Sequence, residues 1–269
     1  MSRNPLPVAA LSLSLFLSLA LGASSVRAQE SAPPPPATPA PPTAAEVARG
    51  AEKKLDAFQT KEARAALEPV SAQAATSADV AVALGRILEQ EKKYEESANV
   101  LRKAAVAAPA DARIPLQLGE TLLRSRKTAD AEVSFRKAVE LSEKAAAARP
   151  TDAGAFLVKG TALSRLRRYD EAMTALGKAR ELDGGNAETL YQMGSTTAFQ
   201  QKWADAVALL TQALEKDTGK ALGYYYRGLA QEKLGRKDLM VVDLDRFVKL
   251  APSAPEADRA RALLAAASR

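Results

Sequence analysis

The stretch LGRILEQEKKYEESANVLRKAAVAAP, Leu84 to Pro109, holds one complete version of a pattern that recurs down the chain. Gly85 is followed by small residues at Ser97 and Ala104, by a bulky apolar residue between them at Leu101, and by a closing proline, Pro109. The same glycine returns at Gly119, Gly160, Gly194 and Gly228, at spacings of 34, 41, 34 and 34 residues. A period this regular predicts an array of like folding units in place of one globular core. Such units offer a continuous surface to other macromolecules and shelter few places for chemistry.

With each marker glycine counted as position eight, the columns can be read down the units. Position seven is often apolar, as Leu84, Leu118 and Met193, with Lys159 and Arg227 departing. Position twenty is small at Ser97, Ala131, Ala172 and Ala206, and position twenty-seven at Ala104, Ala138, Ala179 and Ala213. Position twenty-four is bulky: Leu101, Phe135, Leu176, Leu210 and Leu244. Breakers or turn formers end the units at Pro109, Pro150, Gly184, Thr218 and Pro252. Two helices approach to the short end of the usual ~8–10 Å separation only where the facing side chains are small, and large residues one turn away then fill the grooves. The breaker column follows because the second helix must stop and the chain turn back.

These residues, together with YDEAMTALGKARELD (Tyr169 to Asp183), resemble the tetratricopeptide repeat family. The resemblance runs from Ala78 to Ala254 and continues in degenerate form from Ala44 to Ser77. It implies an all-α, right-handed superhelical solenoid of helical hairpins with a C-terminal capping helix. The units are 44–77, 78–111, 112–152, 153–186, 187–220 and 221–254, with 255–269 as the cap. The first unit departs, with Ala51 at the glycine position and Pro69 inside its second helix, so a kinked or frayed start is expected. The last departs with Met240 and Phe247 at small positions.

The one long spacing falls in VELSEKAAAARP, Val139 to Pro150, which is alanine-rich and free of breakers until its end. Seven extra residues are about two helical turns, so the second helix of that unit is expected to lengthen without rotating its apolar face. Beyond Pro252, Ser253 and Glu256 have capping-box spacing and Pro255 suits a first turn, so a last helix is expected to start there. Its stripe Ala257, Ala260, Leu263 and Leu264 would cover the open end of the array, with Phe247 packed against it.

Two segments precede the array. Met1 to Ala28 has Arg3 near its start, an apolar run from Val8 to Leu21 and the small-residue ending VRA, the pattern of a secretory signal peptide cleaved after Ala28. The run is short of the roughly 20 residues that span a bilayer comfortably, which disfavours a retained anchor. Residues 29–43, containing SAPPPPATPAPP, read as a proline-rich linker. Export in a bacterium, most simply to the periplasm, is the expected location.

Composition narrows the function. The chain has no cysteine and no histidine, which removes disulfides, thiol chemistry, the usual zinc ligands and the commonest general base. Gly219 and Lys220 resemble the end of a phosphate loop, but Leu214 stands where the earlier glycine is needed. No catalytic residue, cofactor site or metal site is identified. The net charge of +6 is too evenly mixed to suggest nucleic acid. Cations do gather at the turn inside each unit: Lys92 and Lys93, Arg126 and Lys127, Arg167 and Arg168, Lys202, then Arg236 and Lys237. They are either cations favoured at helix C-termini or a ridge for anionic envelope polymer or a membrane surface.

Helix geometry supplies the main candidate site. Positions two, five, nine, twelve and thirteen of each first helix point away from the core positions, onto the face that the resemblance assigns to a concave, partner-binding groove. Those positions include Val82 and Arg86, then Leu116, Glu120 and Arg124, then Leu157, Thr161 and Arg165. The later units supply Tyr191, Ser195 and Phe199, then Tyr225 and Leu229. Apolar and aromatic residues are thus expected in one exposed row that takes a partner peptide or helix. Their alternative place is the interior of a tight superhelix. The lysine and asparagine positions by which relatives grip acidic chain ends are not matched, so a more apolar ligand is expected.

Overall fold

The computed structural model describes residues 41–267. The signal-peptide reading of 1–28 and most of the linker lie outside the described residues. Six helical hairpins follow one another: α1 (Ala44–Asp56) with α2 (Thr60–Leu67), α3 (Ala78–Gln90) with α4 (Tyr94–Ala107), α5 (Arg113–Arg124) with α6 (Thr128–Ala148), α7 (Ala153–Arg165) with α8 (Tyr169–Asp183), α9 (Ala187–Phe199) with α10 (Trp203–Lys216), and α11 (Ala221–Lys233) with α12 (Lys237–Leu250). A single helix, α13 (Ala257–Ala267), ends the array. Each hairpin packs on the next, giving an all-α solenoid with no strand among the described residues. No helix among them is long and apolar enough to cross a membrane.

The glycine column has a measurable reason. A Cβ added at Gly119 or Gly160 would lie 2.5 Å from Phe135 or Leu176, and at Gly194, Gly228 and Gly85 it would lie 2.7, 2.8 and 3.1 Å from Leu210, Leu244 and Leu101. The first helix of each hairpin therefore rests its bare backbone on the bulky residue of the second. Those five bulky residues and the small column at Ala131, Ala172 and Ala206 are buried. In the first hairpin Ala51 and Leu67 hold the equivalent places in one apolar cluster.

The turns inside the hairpins repeat as strictly as the core. Phe58, Lys92, Arg126, Arg167, Gln201 and Gly235 all have φ between 55° and 74° and sit at the same position of successive units. In the second unit Lys92 N–H donates to Glu89 O at 2.9 Å and Lys93 N–H to Leu88 O at 2.8 Å, the paired closing bonds of a Schellman motif. The same pair of bonds closes each of the other hairpin turns. Five of these left-handed positions carry a side chain, so the regularity has no glycine signature in the sequence.

The first unit is kinked, as Pro69 implies, but it is folded. Helix α2 ends at Leu67 and the chain continues as a 3₁₀ segment, Glu68–Ala75, with Val70 and Ala74 buried. Helix α6 runs for 21 residues against 14 in α4, α10 and α12, and its last turns are mostly exposed. The end of the array departs from the capping-box expectation. Helix α13 starts at Ala257, beyond Ser253 and Pro255, and the Glu256 carboxylate reaches away to Arg124 at 2.8 Å. A half-buried guanidinium outcompetes a helix-end amide for that carboxylate. The cap itself packs as expected, with Ala257, Ala260 and Phe247 buried in a cluster that includes Leu263 and Leu264.

The first hairpin also touches the last. Phe58 of the α1–α2 turn packs into the cluster formed by α11, α12 and α13. Lys220 Nζ, at the head of α11, lies 2.7 Å from Asp56 at the foot of α1, and Arg124 joins α5 to Glu256. The row of first helices is therefore wound tightly enough for its two ends to meet.

Candidate functional site

The inner wall of the array is made by the face of the first helices opposite their core columns. Its candidate residues divide by burial. Val82, Thr161, Tyr191, Ser195 and Tyr225 are buried, while Arg86, Leu116, Glu120, Arg124, Leu157, Arg165 and Leu229 are half-buried. Phe199 is 36% exposed. The expectation that Tyr191 and Tyr225 stand in an exposed row is thus corrected. Tyr191 is 9% and Tyr225 4% exposed, because the tight winding packs first helices of neighbouring units and the cap against one another. Thr161 and Ser195 are engaged within their own helices, donating to Leu157 O at 2.9 Å and Gln192 O at 3.1 Å.

The charged members pair among themselves. Arg86 binds Asp56 at 2.7 Å, and Lys220 binds both Asp56 and Glu188 at 2.7 Å. Arg165 binds Glu120 at 2.6 Å, and Arg124 lies 2.8 Å from Glu256 and 3.8 Å from Glu89. Burial pushes the Asp56 carboxyl up, but Arg86 and Lys220 outweigh it and hold the group below its ordinary value. Burial, helped by Glu120, pushes the Glu89 carboxyl up to about 7 against the pull of Arg124 and Arg86. Burial likewise raises the Tyr191 and Tyr226 hydroxyls. Cations with carboxylates this close have little capacity left for a ligand.

One part of the wall is left unfilled. Between α9, α10, α11 and α13 lies a cleft of ≈ 370 Å³. Phe199, Tyr225 and Leu229 of the sequence candidates line it, joined by Ala198, Trp203 and Tyr226. Lys233, Glu256 and Arg259 supply its polar contacts. Phe199 meets Tyr226 edge-on with ring centroids 5.6 Å apart, and Tyr226 lies 5.4 Å from Tyr225, so the aromatic wall is itself braced. The other candidates, from Val82 through Ser195, are not brought to this cleft. Trp203, Tyr226 and Arg259 were not identified from the sequence. The aromatic density of FQQKW (Phe199 to Trp203) and YYYRG (Tyr224 to Gly228) was their available signal.

The turn cations are exposed along one edge of the hairpins, at or beside the left-handed positions. Three have local partners: Lys93 with Glu91, Lys127 with Glu95 and Arg168 with Glu171.

Comparison with known proteins agrees with this architecture. A family model described as tetratricopeptide repeat matches residues 116–187 and 191–239, and a second of the same description matches 78–111. No curated protein matches the sequence. Among solved structures, TTC0263, a thermophilic TPR protein of Thermus thermophilus, is 21% identical over 70% of this chain and 97% of its own, with a TM-score of 0.54. YrrB, described as a TPR protein with an unusual peptide-binding site, is 19% identical over 77% of this chain and 99% of its own, with a TM-score of 0.40. MamA is 22% identical over 66% of this chain and 96% of its own, with a TM-score of 0.38. At these identities the likeness speaks to fold alone.

Proposed function

The chain belongs to the tetratricopeptide repeat family, and from that premise we propose that it is a non-enzymatic scaffold of the bacterial cell envelope that holds a partner peptide or helix in the aromatic cleft of its inner face. Arrays of this kind serve generally as protein-interaction scaffolds. The observation that supports the cleft is contrast. Along the inner wall side chains pair or pack with one another, whereas Phe199, Trp203, Tyr226 and Leu229 line open volume. Concave apolar surface with a few polar groups at its edge is what a binding pocket requires.

Capture from envelope extract by the mature chain, compared with a Phe199→Ala/Leu229→Ala double variant, tests this reading. A protein retained by the wild type and lost by a variant of near-unchanged melting temperature supports it. Equal retention by both would overturn it. The second reading, an anionic polymer or membrane surface bound along the turn cations, is favoured by the exposure of Lys92, Arg126, Arg167 and Lys202. Retention that collapses between low and moderate salt would point there, since exposed charges are screened within about a Debye length of ~10 Å at 0.1 M. The envelope location rests on the sequence of Met1 to Ala28 alone. N-terminal sequencing of the exported protein is expected to begin at Gln29, and an intact Met1 in the membrane fraction would sink it.

A further inference from the structure

We propose that the occupant of this cleft is an acidic–aromatic peptide segment, in which a large aromatic or aliphatic side chain enters between Phe199, Trp203 and Tyr226 while flanking Asp or Glu side chains meet Lys233 and Arg259. The inference rests on the cleft reading above and assigns its ligand chemistry.

The size argument comes first. A volume of ≈ 370 Å³ sits at the small end of the roughly 300–1,000 Å³ usual for ligand pockets. It accepts one large side chain with its own backbone, not the whole of an amphipathic helix. The lining is aromatic on several sides, which favours a ring or a branched aliphatic group entering edge-on or stacked.

Charge then separates this mouth from the rest of the inner wall. Arg86, Arg124, Arg165 and Lys220 each have a carboxylate within 2.8 Å. At the mouth of the cleft the pattern differs. Lys233 has only its neighbour Glu232, at 3.2 Å, and Arg259 has no carboxylate partner among the described residues. Glu256, the one acid lining the cleft, gives one oxygen to Arg124, and its other oxygen is buried without a hydrogen-bond partner. Two exposed cations, one of them outside any ion pair among the described residues, thus stand beside an apolar pocket and can meet acidic side chains there. Lys233 and Arg259 line the cleft and are both exposed to solvent. That placement suits the acidic side chains of a segment running across the mouth better than a chain terminus driven into it.

The chain's single tryptophan, Trp203, lines the cleft and reports on it directly. The test is a fluorescence titration of the mature chain with four synthetic peptides of equal length: phenylalanine flanked by Asp and Glu, the same with Asn and Gln, the same with Lys, and the acidic peptide with alanine replacing phenylalanine. The acidic–aromatic peptide is expected to perturb Trp203 and to bind about ten-fold or more tightly than the Asn/Gln version, with the Lys version weaker still. A Lys233→Gln/Arg259→Gln variant should erase that preference, and its circular dichroism should match the wild type because both positions are exposed. If the acidic and amide peptides bind equally well, the cleft reading stands and the acidic assignment falls. If no aromatic peptide alters Trp203 fluorescence, both fall. If the alanine peptide binds as well as the phenylalanine one, attraction is to charge alone and the assignment is overturned.

Discussion

Lys92, Arg126 and Arg167 hold left-handed backbone at φ of 61–63°, a region that costs a residue bearing a Cβ roughly 1–2 kcal/mol relative to glycine. Gly235 shows that glycine serves the same position in the last hairpin. Replacing Lys92 or Arg126 by glycine should therefore raise stability by up to about 1 kcal/mol each, the gain being trimmed by glycine's larger unfolded-state entropy. Gly235→Ala should lower it by a similar amount, and thermal melting of the three variants checks both signs. At Tyr225 the expected result is loss. Its ring lies 5.0 Å from that of the fully buried Phe247, so Tyr225→Ala should cost roughly 3–5 kcal/mol as a core deletion. Phe199→Ala, at a ring 36% exposed, should cost much less. Equal losses at the two sites would contradict this difference in burial. From the sequence both aromatics read alike, since both fall on the same helical face. Only their neighbours on other units distinguish them.

Among the elements, α6 and α13 show how far local signals reach. The extra length of α6 is legible because Leu141 to Arg149 contains no breaker, so the chain has no reason to leave the helix. The start of α13 is not, because Ser253 and Glu256 have the spacing of a capping box, yet Glu256 finds Arg124, 132 residues away in sequence. Helix α13 buries Ala257 and Ala260 against Phe247, and Glu256 just before it joins the cap to α5. Deleting Ala254 to Arg269 should expose a few hundred Å² of apolar surface, which at roughly 25 cal/mol per Å² amounts to several kcal/mol. Melting and light scattering of the truncated chain should show a lower transition and a tendency to associate. An unchanged transition would mean that the cap contributes nothing.

At the scale of the whole array, the packing of first helices against one another places carboxylates among buried charges, and this makes stability depend on pH. Glu89 is pushed up to about 7 from an ordinary value of 4.5. Between those two values the folded protein holds the proton and the unfolded chain does not. The penalty from this group is therefore fully present above pH 7 and is relieved as pH falls towards 4.5. Glu89→Gln should raise the melting temperature at pH 8, by an amount equivalent to roughly 1–3 kcal/mol, with the advantage shrinking by about pH 5. A variant equally or more destabilised at both pH values would show that the ionised carboxylate is needed as a partner of Arg124. Asp56 slopes the other way. Held below its ordinary value of 3.8, it contributes stability above that value and loses it as pH falls further.

The repeat, the helix pairing, the long α6 and the presence of a cap were determined by the sequence alone, because each depends on contacts within one hairpin or between adjacent ones. Small, bulky and breaking residues mark such contacts in register, as Gly160 and Leu176 do. The closing of Phe58, Asp56 and Lys220 across the array, the burial of Tyr191 and Tyr225, and the cleft beside Trp203 were decided only by the tertiary structure. They depend on small rotations between successive units that add up over six hairpins, and no column of the sequence records a sum.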